Sequence, residues 1–145
     1  MEHVKSELYG YKIGKNLLYH VSGSAILNID NVQHRDRSQR VCIRLRKTMA
    51  VLLEYLLSHA EKGLISDTEL ISKIWEENGL KGSSARLWQV MSALKKKIDD
   101  AGCEQDVIFR VNGEGYMLRE TLISALYQSS EPHGLQMSYK KYDAR

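Results

Sequence analysis

The chain has 145 residues, 43% of them hydrophobic and 27% charged, with one proline and a formal net charge of +3. That length suits one compact domain with a short appendage and buries a core without covalent staples, so Cys42 and Cys103 need no disulfide. No run approaches the roughly 18 consecutive apolar residues of a membrane span, and Met1–Lys5 leads into no apolar stretch. Neither a membrane segment nor a signal peptide is expected, and the setting is read as reducing and cytoplasmic.

The charge is small but unevenly placed. Arg35–Lys47 carries six basic residues against one acid, Lys81–Lys97 carries five against none, and Glu54–Glu77 carries six acids against two lysines. Such blocks fit either a mixed solvated surface or a molecule with one basic and one acidic face.

Residues 1–10 read as a lead-in. Short strands are then predicted at Tyr11–Val21, Ala25–Ile29, Asn31–His34 and Arg40–Leu45, with turns at Ser22-Gly23-Ser24 and Asp30-Asn31. The last strand is the clearest, since Val41, Ile43 and Leu45 alternate with Cys42, Arg44 and Arg46. Met49, Leu52, Leu53, Leu56, Leu57 and Ala60 then fall at helical spacing, and Gly63 closes that helix. Ser66-Asp67-Thr68-Glu69 has the capping-box pattern, and the helix it opens carries Leu70, Ile71, Ile74 and Trp75 and stops at Asn78-Gly79. Ser83 or Ser84 caps a third helix over about 84–100, with Leu87, Val90, Met91, Leu94 and Ile98 as its apolar stripe. Residues 107–119 read as a hairpin around Asn112-Gly113. Beyond it, Leu122, Ile123, Leu126 and Tyr127 suggest a short helix over 121–128, followed by a polar tail.

Three helices and a β-hairpin, with a short loop joining the second helix to the third, make an α+β winged helix-turn-helix. The expected organisation is an N-terminal sheet over 11–45, a three-helix core over 46–102, a wing over 107–119, and an extension with a tail over 120–145. In this arrangement the third helix is the element for the major groove, which admits one α-helix. At 100° per residue its apolar stripe clusters around Leu87, and Ala85, Gln89, Ser92, Ala93 and Lys96 face the other way. Gln89, Ser92 and Lys96 are candidates for base contacts. Arg86, Lys95, Lys97 and Lys81 are candidates for phosphate contacts. An ordinary amphipathic surface helix would show a similar solvent face, and the helix alone leaves both readings open.

The order and spacing of four stretches add a resemblance. They are Leu45 to Leu56, Glu69-Leu70-Ile71-Ser72-Lys73-Ile74-Trp75, Met91-Ser92-Ala93-Leu94-Lys95-Lys96-Lys97-Ile98 and Val111-Asn112-Gly113-Glu114-Gly115-Tyr116. Together they make Tyr11–Leu118 resemble the bacterial OmpR/PhoB-type winged-helix DNA-binding domain, closest to the ToxR/CadC-like regulators that lack a receiver domain. The resemblance implies a small antiparallel N-terminal sheet, double-stranded DNA as partner, and a wing built on Arg110, Asn112, Gly113 and Gly115. It also implies contact with RNA polymerase through the loop between the second and third helices, and pairing of two copies on two half-sites. The chain departs from the pattern where Asn112 replaces an arginine before the first wing glycine, and where Glu114 stands at the wing tip. Lys95 replaces a further arginine, and the loop Asn78–Ser83 is short.

Other features assign less. Trp88, on a flank of the third helix, fits a contact to the sugar-phosphate backbone, a thymine methyl or a protein, or partial burial against a neighbouring loop. Cys42, Cys103, His34 and His59 lack metal-ligand spacing, so no metal or cofactor is expected. There is no G-x-S-x-G, Walker or H-E-x-x-H pattern, and the chain reads as a non-enzyme. Two functions remain: a sequence-specific DNA-binding transcription regulator, or a winged-helix interaction module with weak or lost DNA binding. The 121–128 segment packs either on its own domain or on a second copy.

Overall fold

The computed structural model describes residues 6–30, 42–129 and 137–141. Strands β1 (Ser6–Ile13), β2 (Leu17–His20), β3 (Ala25–Asn28) and β4 (Cys42–Arg44) open the chain. Helix α1 (Lys47–Ser58), strand β5 (Ile65–Ser66), helix α2 (Asp67–Ile74) and helix α3 (Ser84–Asp100) follow. Strands β6 (Ile108–Val111), β7 (Gly115–Leu118), β8 (Ile123–Ser129) and β9 (Met137–Lys141) complete it. This is the α+β winged-helix arrangement expected from the sequence.

The strands form two sheets. One is antiparallel with the order β4-β3-β2-β1-β8-β9, and the other is the three-stranded wing β5-β7-β6. The single strand expected over Tyr11–Val21 is a hairpin, because the chain turns between Ile13 and Leu17 and pairs Ile13 with Leu17. Ile43 and Leu45 are buried while Cys42 and Arg44 are exposed, as the alternation predicts. The strand expected over Asn31–His34 lies outside the described residues.

The C-terminal segment is the main correction. Residues 123–129 form strand β8 and not a helix, and Ile123, Ser124 and Ala125 are buried. The spacing of Leu122, Ile123, Leu126 and Tyr127 suits a helix on paper, but a helix that short is marginal. The open edge of β1 offers a row of hydrogen bonds from Ser6↔Ser129 to Ile13↔Ile123. Ile123 and Ala125 join the buried core, and Leu122 and Tyr127 pack against it. Within the expected polar tail, residues 137–141 form β9, which pairs with the far edge of β8. The lead-in expected over 1–10 likewise contributes Ser6–Gly10 to the sheet.

One buried cluster joins the sheet to the helices. It includes Tyr11, Ile13, Leu17, Tyr19 and Ile26 from the sheet, Leu52, Leu53, Leu56 and Leu57 from α1, Leu70, Ile74 and Trp75 around α2, and Leu87, Met91, Leu94 and Ile98 from α3. The Tyr19 hydroxyl donates to Glu54 on α1 at 2.8 Å. Two asparagines tie the sheet to the end of α3: Asn16 Nδ2 donates to the Gly102 carbonyl and Asn28 Nδ2 to the Ala101 carbonyl, both at 2.7 Å. These amides satisfy carbonyls that the end of a helix leaves without partners.

Ser66 caps α2 by accepting from the Glu69 N–H at 3.1 Å. The reciprocal half of the expected capping box is absent. The Glu69 carboxylate instead accepts from the Tyr55 hydroxyl and from Lys62 Nζ, which pins α2 to α1. Ser83 caps α3 by accepting from the Arg86 N–H at 3.1 Å.

Candidate nucleic-acid interface

Burial divides α3 as its helical wheel does. Leu87, Met91, Leu94 and Ile98 are each less than 5% exposed, whereas Ala85, Gln89, Ser92, Ala93 and Lys96 are exposed. The apolar stripe anchors the helix to α1 and α2 and leaves the polar face turned outward. Val90 is half-buried.

The cations surround that face. Arg86 is exposed within α3, and Lys81 is exposed in the loop before it. Lys95 and Lys97 are half-buried, as a lysine is when its stem lies on apolar surface and its ammonium reaches water. Lys96 pairs with Asp100 one turn later at 3.3 Å, on an exposed flank where such a pair is weak and readily exchanged.

The wing meets this helix through Tyr116. Lys95 Nζ lies 5.8 Å from the centre of the buried Tyr116 ring, and the Arg110 guanidinium lies 4.7 Å from it. Arg110 also grips Asp67, with Nη1 to Oδ1 at 2.6 Å and Nη2 to Oδ2 at 2.9 Å. These hydrogen bonds raise the guanidinium's pKa above its ordinary value. Arg110 is therefore committed to a bidentate latch between the wing and the start of α2, and its charge is largely spent there. A second tie runs from the Asp67 N–H to the Glu114 carbonyl at 3.0 Å.

Two glycines let the wing turn and close. Gly113 has φ +75°, in the left-handed region that favours glycine. At Gly115 a side chain would place Cβ 2.0 Å from the Ile65 carbonyl oxygen, so only glycine allows β7 to pair with β5. Asn112 and Glu114 are exposed at the turn.

The sequence-derived candidates on α3, in the preceding loop and at the wing turn are thus at the surface, whereas Gly115 is buried and Arg110 is tied to Asp67. One contact is not legible in the sequence. The Asp67–Arg110 latch spans 43 residues and leaves no local signal. Trp88, for which partial burial was one expectation, is 64% exposed, whereas Trp75 is a core residue at 2%.

The family described as "Transcriptional regulatory protein, C terminal" matches residues 39–118. Among solved structures, the chain is similar to the DNA-binding domain of E. coli CadC, with a TM-score of 0.58 and 23% identity over 79% of this chain and 94% of that one. At that identity the likeness is one of fold. No curated protein matches.

Proposed function

This chain belongs to the transcriptional regulatory protein C-terminal family of OmpR/PhoB-type winged-helix domains, is a DNA-binding transcription regulator, and, we propose, reads DNA sequence with α3 in the major groove. Gln89, Ser92 and Lys96 contact base edges in this reading, while Arg86, Lys81, Lys95 and Lys97 hold phosphates on the groove walls. The observation that carries it is the exposed face of α3, set in the acid-free stretch Lys81–Lys97 and flanked by the wing. Arg110 acts as a brace for the wing, and Asn112 and Gly113 supply the turn that approaches the backbone. No helix among the described residues is long and apolar enough to cross a membrane, and a cytoplasmic, non-enzymatic regulator fits this reading. Two copies on adjacent half-sites would fix the site spacing, and the loop carrying the exposed Leu80 offers a surface to RNA polymerase.

The test is selection of duplexes from a random pool by the full chain. The selected sites should share a motif, and Gln89→Ala or Ser92→Ala should relax the preference at one position by about 1–3 kcal/mol. Unchanged specificity in both variants would contradict the assignment.

A further inference from the structure

Trp88 has no structural occupation. At 64% exposure it is the most exposed of the large hydrophobic side chains among the described residues. An indole joins a large apolar face to one polar N–H, a make-up enriched at interfaces, and this one stands on the helix read as binding DNA. Its neighbours on the helix surface leave it uncovered. Ser84 and Ala85 precede it by four and three residues, Ser92 follows by four, and all three are small and exposed. Met91, three residues on, is buried beneath the helix.

The surroundings say what kind of partner fits. Trp88 stands between Arg86 and Lys95 in a stretch with five cations and no acid. On the helical wheel it shares a flank with Lys95, whose ammonium lies over the wing residue Tyr116. That flank borders the outward face holding Gln89 and Ser92. A surface with a flat apolar plate inside a cationic frame complements a polyanion that also carries apolar edges. DNA offers such edges at the deoxyribose and at the C5-methyl of thymine, the latter in the major groove.

We infer that Trp88 is a DNA-contact residue, its indole covering an apolar edge of the duplex, thymine methyl or deoxyribose, at the wing-side margin of the α3 footprint. The inference rests on the reading that α3 binds DNA. It adds a contact that no charge or hydrogen bond would reveal, and it gives this helix a preference for thymine or for a particular backbone approach at one position.

The chain has two tryptophans, and Trp75 is buried, so a DNA-dependent change in emission reports Trp88. Titrating the full chain with a selected duplex, binding being followed separately by anisotropy of labelled DNA, should quench or shift the emission. Trp88→Phe should abolish that change. Trp88→Ala should weaken binding about 10- to 100-fold without altering its salt dependence, because an apolar contact releases no counterions. Trp88→Phe should bind better than Trp88→Ala. Replacing thymines one at a time by deoxyuridine separates the two sources. Loss of affinity at one position with the wild type but not with Trp88→Ala identifies a methyl contact, and no loss at any position identifies the sugar. If anisotropy shows binding while emission stays constant and Trp88→Ala binds as tightly as wild type, the inference is wrong while DNA binding by the chain stands. If the wild type binds no duplex by anisotropy, both fail.

Discussion

Removing one cation from the binding face should change the salt dependence of DNA binding by a countable amount. Four cations around α3, Lys81, Arg86, Lys95 and Lys97, are the proposed phosphate contacts. If each neutralises one phosphate, log K should fall against log salt with a slope of about −3.6, since each contact contributes about −0.9. Raising salt from 50 to 200 mM then costs roughly 150-fold in affinity. Arg86→Ala should reduce the slope to about −2.7 and the loss to roughly 40-fold. The substitution suits the site: Arg86 is exposed, its capping hydrogen bond to Ser83 uses the backbone N–H, and alanine favours a helix. Lys73→Ala is the control, because Lys73 lies on α2 and already pairs with Glu77 at 3.0 Å. Anisotropy titrations of one duplex at four salt concentrations would give all three slopes. An unchanged slope in Arg86→Ala, or an equal change in Lys73→Ala, would refute the placement of the phosphate contacts.

Three further outcomes are expected. Gly115→Ala should destabilise the chain by about 2–3 kcal/mol or more in urea unfolding, because its Cβ collides with the Ile65 backbone. Glu69 is held below the usual carboxylate range chiefly by its hydrogen bond from Lys62, then by that from Tyr55. Its stabilising effect is therefore present above an unfolded value of about 4.3 and is lost as pH falls through the lower folded value. In Glu69→Gln the stability deficit should stay constant near neutrality and shrink below about pH 4 in parallel melts. Asn112→Arg adds a cation at the exposed wing turn and should strengthen binding, mostly to A·T-rich flanks with a narrow minor groove, as measured by gel shift.

The parts of the fold written in local periodicity were legible. The stripe Leu87–Ile98, the Ser66 and Ser83 caps and the Asn112-Gly113 turn each depend on residues within a few positions of one another. The parts that depend on distant pairing were not. Ile123–Ser129 carries a spacing that suits a helix, and only the edge of β1, more than a hundred residues earlier, makes it a strand. Asn16 and Asn28 look like ordinary turn residues until the end of α3 arrives to meet them. The same holds at the site. The outward face of α3 follows from its wheel, whereas the diversion of Arg110 to Asp67 requires the wing to fold back on α2. Trp88 was visible as an oddity, but its exposure depends on how far the neighbouring loop and wing reach.

The proposed placement of α3 in the major groove is reported directly by methylation protection. Dimethyl sulfate modifies guanine at N7, which faces the major groove, and adenine at N3, which faces the minor groove. On a selected duplex the wild-type chain should protect guanine N7 positions across the centre of each half-site, and Gln89→Ala should leave the protected region in the same place while its sequence preference weakens. Protection confined to adenine N3, with guanine N7 fully reactive throughout the bound site, would contradict it.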